Sequence, residues 1–373
     1  METPNSNPIE TAPATPAKKV KLKIIRRRSG GPDWRFWSQI FWSAVCVWIG
    51  WEFWRFVNFY ESGMTGPPPS RPPGAEAFLP ISGLMGLRDW FITGVLNNVH
   101  PAAAIILGLA IISSVFLKKA FCGWVCPIGF LSEAVGSAGR KVLHWKGKLP
   151  KAVDWPLRSI KYLLLLFFVW AIILQMSPEA LAKFIDSPYN RVSDIKMLKF
   201  FTEPDSSSLF ILGSLVLFGF VIGGFWCRYL CPYGALTGFV SLLSPFKITR
   251  TASACIDCDK CNHACPAHIP VAQLGRVHSD ECNACMECIN VCPSAEALHF
   301  SLPKARAKFS RRGLLIAVTG LFFVGIGLAQ LTGHWQNAMT PEEYSKRIQD
   351  INNPVYTHNR GQVPEETPAK PGN

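Results

Sequence analysis

Two cysteine runs between Cys255 and Cys292 constrain the fold of this sequence more than any other feature. Each run has the spacing C-x2-C-x2-C-x3-C-P, and the terminal prolines are Pro266 and Pro293. This spacing is typical of 4Fe–4S clusters, in which three cysteines on a tight turn bind three iron atoms and a distant cysteine binds the fourth. The segment is therefore predicted to be a two-cluster electron-transfer module.

The spacing divides the eight cysteines into two predicted ligand sets, because each cluster takes its fourth ligand from the other run. One cluster is predicted to bind Cys255, Cys258, Cys261 and Cys292. The other is predicted to bind Cys282, Cys285, Cys288 and Cys265. A zinc ribbon needs four thiolates, whereas this segment supplies eight. A disulfide scaffold suits a secreted protein, whereas the topology predicted below places the segment in the reducing cytoplasm.

Composition indicates that the rest of the chain is a membrane protein. Of 373 residues, 49% are hydrophobic and 17% are charged, which is typical of a chain with several membrane-spanning helices. The net charge of +13 lies in basic blocks beside apolar runs. It therefore indicates membrane topology, and nucleic acid is excluded as a partner. Five apolar segments are each predicted to cross a hydrocarbon core of about 30 Å. They are 36–59, 101–117, 162–176, 209–225 and 314–331.

The predicted fold class is an α-helical integral membrane protein of about five transmembrane helices, with an inserted cytoplasmic two-cluster ferredoxin-like α+β domain. Basic residues concentrate in the N-terminal tail and in the loops that carry the cysteine motifs. The positive-inside rule therefore places the N-terminus and the ferredoxin-like domain in the cytoplasm of a bacterial inner membrane, with the C-terminus in the periplasm. The predicted domains are a disordered basic tail (1–33), a membrane domain (34–244), the ferredoxin-like domain (245–303), a final transmembrane helix (304–331) and a polar periplasmic tail (332–373).

Isolated polar residues near the predicted spans are given structural interpretations. Arg88 and Asp89 interrupt the apolar segment 78–96, which we expect either to lie on the outer surface or to re-enter the membrane. We interpret these two residues as an interfacial ion pair rather than as part of a quinone pocket. His100 opens the second span and is interpreted as a helix-start residue. Cys46 lies alone within the first span and is interpreted as a small hydrophobic residue.

A second cysteine motif occurs twice, each time directly after a predicted span. Both copies read C-x3-C-P-x-G, with Cys122 and Cys126 in the first and Cys227 and Cys231 in the second. Parallel repeats related by an axis along the membrane normal would bring the four cysteines together just under the membrane. Four thiolates can bind a further iron–sulfur cluster or a soft metal such as copper. A redox-active dithiol on one helical face and a purely structural turn are the alternatives.

Together these motifs resemble the membrane-bound polyferredoxin family, which includes NapH, the C-terminal half of NosR and the more distant CcoG-like proteins. The resemblance covers residues 80–300. It rests on F-C-G-W-V-C-P-I-G at 121–129, W-C-R-Y-L-C-P-Y-G-A-L at 226–236, the loop segment Val192–Phe201 and the twin cysteine runs. It implies that the protein moves electrons between the quinone pool, or a cytoplasmic donor, and a partner reductase or maturation system. Redox partner proteins and quinone are therefore the partners that the resemblance implies.

The favoured hypothesis is a membrane-bound iron–sulfur electron carrier, closest to a NapH-like relay, rather than a stand-alone enzyme. No catalytic residue is predicted. The predicted cofactors are two 4Fe–4S clusters, with a further cluster or copper at the C-x3-C-P cysteines. One alternative is a copper reductase in which these four cysteines bind and reduce the metal. Another alternative is a redox-sensing or assembly factor whose clusters report to a partner protein.

Overall fold

Helices make up most of the chain in a computed structural model, which describes residues 33–144, 149–303 and 307–357. The predicted basic tail lies outside the described residues except for Asp33. The helices of the described ranges are α1 (Trp34–Glu61), α2 (Pro80–Thr93), α3 (Pro101–Leu117), α4 (Ala120–Trp124), α5 (Pro127–Leu143), α6 (Lys151–Val169), α7 (Pro178–Ile185), α8 (Pro188–Arg191), α9 (Ser193–Thr202), α10 (Ser206–Ile222), α11 (Pro232–Val240), α12 (Lys260–Ala264), α13 (Glu287–Asn290), α14 (Arg311–Leu331) and α15 (Pro341–Gln349). The strands are β1 (Lys247–Arg250), β2 (Leu298–Ser301) and β3 (Lys308–Phe309).

The long helices begin where the sequence supplies a side chain for the unpaired amides of the first turn. Asp33 accepts hydrogen bonds from the amides of Arg35 and Phe36 at the start of α1. Asp205 and Ser310 cap α10 and α14 in the same way. Short polar caps of this kind stabilise a helix by about 1 kcal/mol each. The boundaries of these helices are therefore set by local sequence.

Two helices of the described chain are long and apolar enough to cross a membrane. They are α6, which continues as a π-helical turn to Gln175, and α14. The helices α9 and α10 meet at an angle of 75° and supply a third candidate if they form one broken span. The apolar helix α3 has 17 residues, and α1 has 28 residues but includes the polar side chains of Gln39 and Glu52. The chain is thus a membrane protein with two or three candidate spans, and the count of five stays a prediction.

The segment 78–96 contains the helix α2, which packs along α3. A Cβ atom on Gly83 would lie 2.7 Å from the carbonyl oxygen of Ala103, so the two helices are in close contact. The expected pair between Arg88 and Asp89 does not form within the described residues. Neighbouring helical residues point in different directions, and Arg88 instead donates to the carbonyl groups of Ile172 and, at 2.7 Å, Met176. It therefore satisfies carbonyl groups at the end of the α6 segment, which lack helical partners.

The two C-x3-C-P repeats pack reciprocally. The helix before the first motif, α3, contacts the helix after the second, α11, while α10 contacts α5. At the second contact, a Cβ atom on Gly136 would lie 2.7 Å from the Cα of Gly223, so glycine permits the close approach of the two backbones. In both contacts, a helix that precedes the motif of one repeat packs against the helix that follows the motif of the other. This is the packing expected of an internal two-fold arrangement.

A small α+β region carries the twin cysteine runs. Its antiparallel sheet has the order β1-β2-β3, with Lys247 opposite Ser301 and Phe300 opposite Phe309. Phe246, Phe300 and Phe309 form an aromatic cluster under the sheet. Both cysteine runs lie between β1 and β2, so the sheet joins the ends of the segment that holds them.

The segment expected to be a polar tail contains the helix α15, which packs against the C-terminal half of α1. The rings of Phe56 and Tyr344 meet edge to face with centroids 5.0 Å apart. Residues 358–373 lie outside the described part of the chain.

A buried ionic network joins α15 to the loops around it. The guanidinium of Arg71 lies 2.6 Å from Asp194 and 2.8 Å from Glu76, and both carboxylates are fully buried. The ring of Tyr344 lies 5.9 Å from the Arg71 guanidinium. His100 directly precedes α3, as expected, but its ring lies in this network, with Nδ1 3.5 Å from Glu76. We refer to these five side chains as the outer network.

Candidate metal centres

The first predicted ligand set surrounds a cavity near the protein surface. A space of about 370 Å³ is lined by Cys255, Cys258, Cys261 and Cys292, and we call this the distal site. Cys258 is exposed. The residues on either side of it, Asp257 and Asp259, have φ angles of 50° and 54°. These left-handed conformations, uncommon outside glycine, wind the loop tightly around the cavity.

The second predicted ligand set surrounds a cavity in the interior. Cys265, Cys282, Cys285 and Cys288 line a space of about 340 Å³, and we call this the proximal site. Its loop repeats the distal conformation, because Ala284 and Met286 on either side of the second cysteine have φ angles of 52° and 59°. The amide of Ile269 donates to the Cys265 sulfur at 3.4 Å. Burial raises the pKa of the Cys285 thiol to about 12, against the opposing effect of the Arg35 guanidinium.

The shape and chemistry of both sites fit a 4Fe–4S cluster better than a single ion. Zinc draws four sulfurs to about 2.3 Å from one point. Within the described ranges, no three or more cysteine, histidine or acidic side chains are placed to hold one metal ion. The four sulfurs of each set instead line a cavity, as ligands to the separate corners of a cluster would. The donor set, four cysteines with an amide directed at sulfur in the proximal site, is also the one that such clusters use.

The four C-x3-C-P cysteines come together between the two repeats. Cys122 lies in α4 and Cys227 in a π-helical turn, while Cys126 and Cys231 precede the first residues of α5 and α11. We call these four residues the quartet. Burial raises the pKa of the Cys227 thiol to about 12, and the neighbouring thiols of Cys231 and Cys122 raise it further. The pKa of Cys126 is likewise raised, first by burial and then by Cys122 and Cys227. Cys122 and Cys227 line the same cavity, and the Cys122 sulfur lies 3.6 Å from the hydroxyl of Thr237 in α11, the helix that begins after Cys231.

Contacts between loops connect the quartet directly to the proximal site. The indole of Trp124, between Cys122 and Cys126, donates to the carbonyl of Ala284 at 3.0 Å. Gly123 lies so near the same loop that a Cβ atom would be 2.5 Å from the carbonyl oxygen of Asn283. In the second repeat, Arg228 donates to the carbonyl of Ala267 at 3.0 Å. Each repeat therefore contacts one of the two loops that carry the proximal cysteines.

Helix α1 supports the same junction from the other side. Arg35 is buried and donates to the carbonyl of Gly123 at 3.0 Å. Its guanidinium also pairs with Glu133 and lies 3.8 Å from Glu287, within the proximal loop. The sequence alone does not identify Arg35, Trp124 or Arg228 as part of a site. The single available signal was the position of the last two within the C-x3-C motifs.

A mixed polar and apolar cavity lies between the quartet and the proximal site. Its volume is about 860 Å³, and Cys122, Cys227, Lys119, Arg228 and Asn283 are among the residues that line it. We call it the junction cavity. The remaining cysteine of the described chain, Cys46, lies in α1 and joins neither ligand set nor the quartet.

Comparisons with known proteins agree with this distribution of cysteines. The family model of a 4Fe-4S binding domain matches residues 99–146 and 206–251, which contain the quartet. The family model of a 4Fe-4S dicluster domain matches residues 247–293, which contain the twin runs. The class of protein that these matches and the helices define is one in which 4Fe–4S binding domains are joined to membrane helices.

Whole-chain relatives identify the family. The chain is 45% identical to YccM of Escherichia coli (strain K12), which is named as an electron transport protein, over 84% of this chain and 89% of YccM. It is 30% identical to NirI of Paracoccus denitrificans over 46% of this chain and 24% of NirI. It is 26% identical to the ferredoxin-type protein NapH of Escherichia coli (strain K12), over 52% of this chain and 66% of NapH. No solved structure matches the chain. The chain belongs to the membrane polyferredoxin family, as the sequence motifs predicted.

Proposed function

We propose that this protein is a three-centre electron relay at the cytoplasmic face of a bacterial inner membrane. The distal, proximal and quartet cysteines would each hold one iron–sulfur cluster. Such clusters, when bound, supply one-electron donors and acceptors whose potentials depend on burial, hydrogen bonds and nearby charge. The relay would connect the quinone pool, or a cytoplasmic donor, with a partner reductase or maturation system. Membership of a family that includes a named electron transport protein supports this proposal.

The observation that carries the proposal is the position of the proximal site between the other two. Each cysteine run supplies three ligands to one of the two sites and one ligand to the other. The loops of the proximal site also contact both motifs of the quartet through Trp124 and Arg228. The hydrogen bonds at these contacts hold the loops of the proximal site against both motifs of the quartet. A single isolated cluster would not require contacts between its cysteine loops and two further sets of cysteines.

A third iron–sulfur centre at the quartet is favoured by the family comparison. The residues matched by the 4Fe-4S binding domain include all four quartet cysteines and none of the eight cysteines in the twin runs. The thiol of Cys231 accepts a hydrogen bond from the amide of Gly234 at 3.3 Å, a contact that suits a thiolate ligand. The four side chains therefore have the chemistry that a cluster needs.

The membrane arrangement that we propose has five spans, formed by α1, α3, α6, α10 and α14. Each predicted apolar segment coincides with one of these helices or its direct continuation. Large apolar side chains such as Trp48, Phe167 and Phe210 are exposed along them, as expected for surfaces that face lipid. In this arrangement the distal and proximal sites lie in the cytoplasm, and α15 and the outer network lie in the periplasm.

The proposal is tested by counting iron and acid-labile sulfide in anaerobically purified protein. We expect about twelve iron atoms per chain, four for each cluster. Cys122→Ala and Cys227→Ala should each lower the count to about eight, because the quartet loses a ligand. Cys46→Ala, which removes a cysteine outside all three sites, should leave about twelve. Zinc in place of iron at the distal and proximal sites would refute the electron-transfer function.

A copper-binding quartet is the second candidate, because the junction cavity gives solvent a route to Cys122 and Cys227. Soft thiolates bind Cu(I) well. This candidate predicts about eight iron atoms in the unmodified chain, with one copper bound per quartet. Copper reduction would then be lost in Cys122→Ala while the distal and proximal signals in electron paramagnetic resonance remained.

A further inference from the structure

Two adjacent lysines follow α3 and are buried at the junction of the membrane helices with the cysteine loops. Lys118 is fully buried and Lys119 is 5% exposed. They belong to a basic segment that is predicted to mark a cytoplasmic loop, yet both side chains are buried within the protein. Burying an ammonium group is costly unless opposite charge or hydrogen bonds compensate it. Two such groups in succession therefore require a compensating partner within the protein.

Lys118 is directed towards the proximal site. Its backbone has a φ angle of 60°, and its amide donates to the hydroxyl of Ser244 at 3.1 Å. This unusual conformation sends its ammonium group to the carbonyl of Ser279, at 2.9 Å, in the loop that leads to Cys282. Burial lowers the pKa of Lys118 to about 8, while the Cys282 thiol acts in the opposite direction.

Lys119 is directed towards the quartet. Its side chain lines the junction cavity together with Cys122 and Cys227. In the part of the chain that the structure describes, its ammonium group has neither an ion-pair partner within 4.0 Å nor a hydrogen bond. The Glu281 carboxylate, which affects Lys119 electrostatically, pairs with the buried Lys161. Burial lowers the pKa of Lys119, but the thiols of Cys122, Cys231 and Cys227 and the Glu281 carboxylate raise it overall.

We propose that Lys119 is the counter-charge of the quartet and sets the reduction potential of the centre held there, while Lys118 serves the proximal site in the same way. This inference rests on the proposed third centre. Reduction of a cluster adds one negative charge, and a cation a few ångströms away in a medium of low dielectric constant stabilises the reduced state more than the oxidised state. The two lysines are successive residues but face different cysteine sets, so each would affect its own centre most.

Redox titration monitored by electron paramagnetic resonance tests the assignment of each lysine. In Lys119→Gln and Lys119→Met, the midpoint potential of the quartet centre should fall more than that of the proximal centre. In Lys118→Gln, the midpoint potential of the proximal centre should fall more than that of the quartet centre. Lys119→Arg keeps the charge and should keep both potentials near those of the unmodified protein. Iron is counted in every variant before titration, so that changes in loading are separated from changes in potential.

Three results would overturn the inference. One is an unshifted quartet potential in a neutral Lys119 variant that retains about twelve iron atoms. Another is an equal shift of both centres in the Lys118 and Lys119 variants. The third is equal loss of iron in Lys119→Arg and in the neutral variants, because the shape of the lysine side chain rather than its charge would then be what the centre requires. Loss of iron in the neutral variants alone supports the inference. Only about eight iron atoms in the unmodified chain would refute the proposed third centre itself, which distinguishes the two failures.

Discussion

Arg71 offers a direct test of how the outer network stabilises the protein. Its guanidinium lies 2.6 Å from Asp194 and 2.8 Å from Glu76, and neither carboxylate is exposed to solvent. Arg71→Met keeps most of the side-chain volume but leaves two buried carboxylates without this cation. Breaking a buried ion pair by removing one partner costs about 3–5 kcal/mol. We expect a loss within that range, because His100 lies close enough to offset part of the cost of the second carboxylate.

The loss is measured by equilibrium unfolding in mixed detergent micelles, with Arg55→Met as the matched control. Arg55 also forms an ion pair, with Glu52 at 3.0 Å, but about half of its side chain is exposed. A pair of that kind contributes about 0–1 kcal/mol. Limited proteolysis should in addition cut the α15 region faster in Arg71→Met than in the control, because α15 packs on the network through Tyr344. Equal unfolding free energies for the two variants would refute the reasoning.

Two further predictions concern single residues. Burial lowers the pKa of His100, but the neighbouring Glu76 carboxylate raises it overall. The stabilising contribution of His100 should therefore be complete below a pH of about 6.5 and should be lost as the pH rises through the folded-state pKa. The difference in unfolding free energy between the unmodified chain and His100→Gln should shrink over that range, and a difference that grows with pH would contradict the assignment. Gly123→Ala should lower the free energy of unfolding by about 1–3 kcal/mol through overpacking, because the new Cβ would meet the carbonyl oxygen of Asn283. The same variant should lower the iron content of the proximal site. Gly50→Ala is the control, because a Cβ there would have no atom within 4 Å, and it should not change the iron content.

The cysteine loops are the part of the structure that the sequence specifies most completely. Ligand spacing is a local property, so the runs from Cys255 to Cys265 and from Cys282 to Cys292 place their sulfurs without reference to the rest of the fold. The structure gathers these residues around two cavities in the same groups that the spacing predicts. The C-x3-C-P repeat is predictable for a related reason, since a repeated motif after each of two apolar helices indicates a shared arrangement.

The outer network and the junction depend on tertiary contacts that no local pattern records. Arg71 and Glu76 lie in the segment between α1 and α2, whereas Asp194 lies in α9, more than 100 residues further along the chain. Composition also cannot distinguish a buried lysine from an exposed one. The sequence therefore predicts that Lys119 belongs to a basic cytoplasmic loop, although its side chain is buried. The span count is uncertain from sequence for a physical reason as well: α1 mixes tryptophan and charged residues into an apolar helix of sufficient length.

The differences between the two repeats follow from what each repeat contacts. The cysteines and the following Pro-x-Gly are the same in both copies, and they lie where the copies face each other; Gly129 and Gly234 pass close to the carbonyl groups of Cys122 and Cys227. The residues between the cysteines differ, and among them Gly123, Trp124 and Arg228 contact the single, asymmetric ferredoxin-like region. Glycine in the first copy allows close approach to Asn283, whereas Arg228 in the second reaches the carbonyl of Ala267. Because the two copies contact different parts of one ferredoxin-like region, their sequences differ at the residues that make these contacts.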